Sequence, residues 1–125
     1  MTENDISFKI RGSIFKVYNT LGPGLLESAY SNVLVYELTK QGLDVKKELA
    51  LPLIYENEKL DVGYRIDIMV NDLVIIEIKS VEKLLDVHHK QVLTYLKLSG
   101  KKLGILVNFN TNDIEGSIFR KVNNL

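Results

Sequence analysis

Three ionisable residues stand where a strand should carry none. Asp67, Glu77 and Lys79 interrupt the otherwise apolar stretch from Gly63 to Ser80, GYRIDIMVNDLVIIEIKS. Charged groups in such a setting are costly unless they are paired or bound to a metal. The spacing is Asp67, nine intervening residues, then Glu77-Ile78-Lys79. Two carboxylates and a backbone carbonyl, that of Ile78, make a hard oxygen set suited to Mg²⁺ or Mn²⁺. An ion held there would lower the pKa of a bound water and neutralise charge building on a phosphodiester. Lys79, two residues after Glu77 and so on the same strand face, could hold that water or a phosphate oxygen.

These residues converge only in one pairing register. The stretch reads as two strands, because β-branched residues alternate on both sides of Asn71-Asp72. A two-residue turn would set Asp67 against Ile76 and place Glu77 on the other face. A three-residue loop, Asn71-Asp72-Leu73, pairs Val70 with Val74, Ile68 with Ile76 and Ile66 with Ile78. One face is then unbroken aliphatic core, and the other sets Asp67 opposite Glu77 and Arg65 opposite Lys79. That register is expected. The alternative chemistry is a cross-strand salt-bridge ladder of Asp67 and Glu77 against Arg65 and Lys79, worth a few tenths to about 1 kcal/mol per pair. It does not explain why the like charges face each other, whereas a bound cation does.

The elements around this hairpin follow from periodicity. Ile6, Ile10, Ile14, Val17 and Leu21 recur at helical spacing over about residues 4 to 21. Gly22-Pro23-Gly24 stops that helix, and a second runs from roughly 24 to 41. On the second helix Glu27 shares a face with Tyr30, Ser31, Leu34 and Leu38. Two readings of Glu27 stay open on pattern alone: an inward-facing functional carboxylate, or a residue at the third helical position that caps the helix start. A first strand spans about 46 to 55, with Glu56-Asn57-Glu58-Lys59 as its turn.

After the hairpin, residues near 85 to 99 form a helix with three faces. Leu85, Val92, Leu93 and Leu96 make its core face, and His88, Gln91 and Tyr95 lie together on a second. Lys83, Lys90, Thr94, Lys97 and Lys101 form a third. That basic stripe is the one local patch suited to a nucleic-acid backbone. His88 and His89 diverge by 100° on a helix and cannot chelate one ion together; His89 leans towards the core. Leu103 to Phe109 is a buried strand, and the tail from Ile114 to Val122 fits either an edge strand or a helical turn. The order is helix, helix, three strands, helix, strand and tail, which predicts an α/β mixed sheet with helices on its faces.

Composition bounds what such a chain does. Its 125 residues make one domain with a real core, and 46% hydrophobic with 26% charged residues is ordinary for a globular protein. No apolar run approaches a membrane span, and the acidic start is unlike a signal peptide. The absence of cysteine fits a reducing compartment, so a cytoplasmic location is expected. Sixteen basic and sixteen acidic residues give zero formal charge, so nucleic-acid binding must come from a local patch.

Gly24-Leu25-Leu26-Glu27-Ser28-Ala29-Tyr30 matches the G-x-x-E-x-x-Y signature, and the chain resembles the GxxExxY protein family of the PD-(D/E)xK nuclease-like superfamily. The resemblance continues through Tyr64-Arg65-Ile66-Asp67, Ile76-Glu77-Ile78-Lys79, His88 to Tyr95 with Gln91, and Asn108-Phe109. It implies a restriction-endonuclease-like αβββαβ core with an extra N-terminal helix, as one domain over 1–125. It implies a Mg²⁺- or Mn²⁺-dependent nuclease with Asp67, Glu77 and the Ile78 carbonyl as metal ligands and Lys79 as catalytic lysine. Glu27 would join the metal or its water shell, and Gln91 would steady the site. Tyr95, Tyr30, His88, Lys83 and Lys90 would contact a nucleic-acid substrate, expected to be DNA. Ile66 stands where the superfamily name has proline. So small a chain has little surface for reading sequence, so structure-selective action or help from a homodimer partner is expected.

Overall fold

The computed structural model describes residues 1–125. Three helices and five strands follow in the order α1 (Glu3–Leu21), α2 (Glu27–Lys40), β1 (Val45–Tyr55), β2 (Glu58–Val70), β3 (Val74–Lys79), α3 (Asp86–Ser99), β4 (Leu103–Asn108) and β5 (Ile118–Val122). The strands form one sheet in the order β1-β2-β3-β4-β5. β3 and β4 are parallel, as their α3 crossover requires, and the other neighbours are antiparallel. The tail therefore resolves as an edge strand, entered through a short 3-10 turn at Glu115–Ser117.

Each helix begins and ends for local reasons. The first backbone amides of α1 are met by a capping box: the Asp5 N–H donates to Thr2 Oγ1, and the Thr2 N–H to Asp5 Oδ2. α1 ends at Gly22, whose φ of 67° carries the chain out of the helix. The next helix starts at Glu27, with Leu26 as its N-cap, rather than near Gly24.

The sheet is covered on both faces. α1 and α2 lay Ile6, Ile10, Ile14, Tyr30, Leu34 and Leu38 against Ile68, Val70, Val74, Ile76, Ile78, Ile105 and Val107. α3 lays Val92, Tyr95 and Leu96 against Leu51, Ile66, Met69, Ile75 and Leu106. Gly104 lets α3 come this close, because a Cβ there would sit 2.7 Å from Val92 Cγ1. Leu85, expected on the core face of α3, is its N-cap and is 55% exposed, because the helix begins one residue after it.

The hairpin takes the expected register, Val70↔Val74, Met69↔Ile75 and Ile68↔Ile76. Asn71 and Asp72 adopt φ of 51° and 54°, a left-handed turn these two side chains tolerate, and the Leu73 N–H closes it onto the Val70 carbonyl at 3.0 Å. The expected unbroken aliphatic face does not extend to Ile66. Ile68 and Val70 pack under α1 and α2, but Ile66 packs under α3. The period-two alternation of β2 therefore slips at Asp67. β1 slips at the same level: Val45 packs on the α1/α2 side, Leu49 and Leu51 on the α3 side. Between them Glu48 has φ 50°. Pairing holds above and below, at Lys47↔Ile68 and Leu49↔Ile66, but the Glu48–Asp67 rung is missing. Such irregularities re-aim side chains and recur beside active sites.

Candidate active site

The slip in β2 is where Asp67 meets Glu77. The β2–β3 ladder stops at Ile68↔Ile76, and beyond it side chains take over the backbone bonding. The Asp67 N–H donates to Glu77 Oε1 at 3.1 Å, and the Ile78 N–H donates to Asp67 Oδ2 at 2.8 Å. Each carboxylate thus fills the gap in the opposite strand with one oxygen. The second oxygen of each, Asp67 Oδ1 and Glu77 Oε2, receives no protein donor.

No cation of the protein balances the pair. Arg65 turns instead to Asp61, at 3.4 Å, and Lys79 forms no ion pair with any carboxylate. The salt-bridge ladder is therefore absent. Glu77 is only 2% exposed, and burial, reinforced by the neighbouring Asp67 charge, pushes its carboxyl up to about 9, while the Asp67 N–H and, more weakly, Lys79 oppose the shift. At neutral pH Glu77 holds a proton until something positive replaces it.

Two cavities flank the pair, and their charges differ. On one side Glu27, Ser28, Ser31, Glu48, Asp67 and Ile78 line a space of about 170 Å³. Glu27 is the first residue of α2, and its Oε2 accepts from the Ser80 N–H at 3.3 Å, so α2 is tied to the end of β3. No three carboxylates are arranged to enclose one ion. Glu27 consequently belongs to the surroundings of the Asp67–Glu77 pair rather than to one three-carboxylate cage. On the other side Tyr64, Lys79, Val87, His88, Lys90, Gln91, Thr94 and Tyr95 line about 410 Å³. There Gln91 Nε2 donates to Tyr95 Oη at 3.1 Å. Burial, then the Glu77 charge, raises the Tyr95 phenol, so it stays a neutral hydroxyl beside the carboxylates.

Four expected substrate contacts lie elsewhere or do other work. Tyr30 is fully buried, stacked 4.3 Å from Phe109, and cannot touch a substrate. Its hydroxyl donates to the Gly22 carbonyl at 2.5 Å and accepts from the Leu25 N–H at 3.1 Å, fixing the turn that presents Glu27. Lys83 precedes α3 and lines a separate depression with Asn108 and Asn110. The lysine stripe is also interrupted: Lys90 pairs with Asp86 at 3.0 Å, and Lys101 with Asp72 at 3.2 Å. His88 does line the α3-side cavity, although its Nδ1 accepts the Leu85 N–H at 3.0 Å and so helps start the helix. His89 packs edge-on against Phe119, a structural position as expected.

Sequence reasoning assigned no role to Glu48, Ser80 or Asn108. Glu48 reads as one solvated residue in an exposed strand, and only the cross-strand level shared with Asp67 brings it to the site. Asn108 is buried and accepts from Val81 N–H at 3.0 Å while donating to the Val81 carbonyl at 2.9 Å, which clamps the loop behind Lys79. Its place at the end of a buried strand was the available signal.

A family model described as the PD-(D/E)XK nuclease superfamily matches residues 4–121. The chain belongs to the PD-(D/E)XK nuclease superfamily. No curated protein and no solved structure matches it. PD-(D/E)XK nucleases generally use divalent metals, and the donor set here suits one. Asp67 and Glu77 are paired, lack a cationic neighbour within ion-pair distance, and keep one oxygen each free of protein donors. Hard carboxylate oxygens with a backbone carbonyl alongside are the ligands Mg²⁺ and Mn²⁺ take. Within the matched region the sequence reads Ile66-Asp67, then Glu77-Ile78-Lys79.

Proposed function

We propose that this PD-(D/E)XK chain is a metal-dependent nuclease that hydrolyses phosphodiesters in DNA, of the GxxExxY type. The observation that carries the reading is the paired carboxylates, each holding the opposite strand's amide with one oxygen and keeping the other free of protein donors. Asp67, Glu77 and the Ile78 carbonyl would hold Mg²⁺ or Mn²⁺. Such an ion supplies an acidified water and neutralises charge on the phosphodiester.

The chain's own residues do the rest. Lys79, two residues beyond Glu77 and free of any ion pair, orients the attacking water or a phosphate oxygen. Glu27, held at the start of α2 by the Ser80 amide, would face the water shell of such an ion. Gln91 fixes the Tyr95 hydroxyl, and that neutral donor steadies the substrate side of the carboxylates. Glu77 would give up its proton on metal binding, which would then release protons at neutral pH.

The test is cleavage of linear, supercoiled and single-stranded DNA with Mg²⁺, Mn²⁺ or EDTA, with wild type, Asp67→Asn and Lys79→Ala purified side by side. Metal-dependent cutting by wild type, lost at least a hundredfold in both folded variants, is expected. A variant that cuts at the wild-type rate overturns the assignment. Zero net charge favours a second reading, a silent binding module of the same fold. That module would bind metal no differently after Glu77→Gln.

A further inference from the structure

We infer that the α3-side cavity seats an unpaired nucleotide, with Tyr64 as its stacking platform, so that the strand being cut is single-stranded at the site. The inference rests on the nuclease reading and names the substrate class for it. The first observation is charge. The α3-side cavity is lined by Lys79 and by Lys90, the latter paired with Asp86, and by no carboxylate, whereas the α2-side cavity carries Glu27, Glu48 and Asp67 and no cation. A backbone phosphate fits one side and is repelled by the other. A duplex laid across the pair would press its second backbone against Glu27 and Glu48, even with an ion on Asp67 and Glu77.

The second observation is the lining. About 410 Å³ lies within the range of cavities that seat small ligands, roughly 300–1,000 Å³. Its wall holds a half-buried tyrosine, Tyr64, set edge-to-face on buried Tyr95 with ring centres 5.6 Å apart. The Tyr64 hydroxyl takes part in no protein hydrogen bond, so the ring is positioned by packing alone. At the rim Val87 is 62% exposed, and Leu85, two residues earlier, is 55% exposed. An aromatic wall with exposed aliphatic residues beside a lysine is the combination that holds single strands: bases stack, and the cation tracks the backbone. His88 adds a donor, because its Nδ1 already accepts the Leu85 amide and the neutral ring then carries its hydrogen on Nε2.

The third observation is the absence of long-range attraction. With zero formal charge and Lys90 and Lys101 held in ion pairs, the surface offers a phosphate backbone little net attraction. Affinity must then come largely from stacking, which a flush duplex does not offer.

The test is fluorescence anisotropy in EDTA with a labelled oligothymidylate and a labelled hairpin duplex of equal length, alongside cleavage in Mg²⁺ or Mn²⁺. Wild type should bind the oligothymidylate at least tenfold more tightly than the duplex, with a shallow salt dependence. Tyr64→Ala and Tyr64→Leu should each lose about tenfold on the single strand, and Tyr64→Phe should stay within twofold of wild type. The leucine variant preserves the packing on Tyr95 while removing the ring, so it separates stacking from folding. Equal or tighter binding of the duplex, no binding of either, or a folded Tyr64→Leu that binds as wild type overturns the inference. The nuclease reading fails separately, if wild type cuts no DNA with any metal while the Tyr64 pattern in binding remains.

Discussion

Replacing Glu77 by glutamine removes an ionisable proton and little else, because the amide Oε1 can still accept the Asp67 N–H that lies 3.1 Å from it. In the folded protein burial and the Asp67 charge raise this carboxyl to about 9, from 4.5 in an open chain. The sign follows from which state binds the proton. Between those values the native state keeps it and the unfolded state has lost it, so rising pH favours unfolding. The cost grows by about 1.4 kcal/mol for each pH unit above 4.5 and levels off near 9. At pH 7 it amounts to about 3 kcal/mol, a large part of the 5–15 kcal/mol that holds a domain together. Glu77→Gln should therefore be more stable than wild type at pH 7 by up to about 3 kcal/mol, or about 10 °C in Tm for a chain of this size. The two proteins should converge near pH 4.5.

The assay is urea unfolding of both proteins from pH 5 to pH 8, in EDTA and in excess Mg²⁺ or Mn²⁺. Taking the difference between them cancels the titration of every other group. In EDTA the gap should open steadily with pH. The metal should close it by stabilising wild type, and leave the glutamine variant nearly unmoved. A gap that stays flat across this range, or a variant less stable than wild type at pH 8, would refute the reasoning. Glu77 would then be a charge the protein already satisfies, as in the salt-bridge ladder.

Two further outcomes probe how the site is held. Tyr30→Phe removes the hydroxyl that joins the Gly22 carbonyl to the Leu25 amide, and should cost about 1–3 kcal/mol in urea unfolding. It should also slow cleavage through Glu27, and amide exchange should rise at residues 22–27 while β3 stays protected. Gly104→Ala places a Cβ 2.7 Å from Val92 Cγ1, and should cost about 1–3 kcal/mol of overpacking. A urea midpoint equal to wild type would mean that α3 does not lie this close to β4.

Local pattern carried most of the architecture and only part of the site. Ile68, Val70, Val74, Ile76 and Ile78 alternate cleanly around Asn71-Asp72, so the hairpin register was legible, and with it the approach of Asp67 to Glu77. The tail was not, because five residues of edge strand and one turn of helix bury similar side chains. Tyr30 was misplaced for a geometric reason. A helical wheel puts it beside Glu27, but Glu27 is the first residue of α2 and reaches out to Ser80, while Tyr30, a turn later, reaches in to Phe109. The lysine stripe failed because Lys83 lies before the helix and Lys101 after it.

The slip at Asp67 and Glu48 is the part no local pattern announces, and it explains why the carboxylates can exist in this sheet. With strict alternation Ile66 would continue the aliphatic face of Ile68, and Asp67 would lie in a closed ladder. A left-handed Glu48, at a strain of roughly 1–3 kcal/mol, lets β1 and β2 change face together without losing register. Ile66 goes to the α3 core, the Glu48–Asp67 rung between β1 and β2 opens, and between β2 and β3, beyond Ile68↔Ile76, the Asp67 and Glu77 carboxylates take the place of backbone partners. The same change of face sets an acidic cavity on one side of the pair and a basic, aromatic one on the other. The asymmetry that we read as the substrate's path is thus a consequence of how two strands accommodate buried charge.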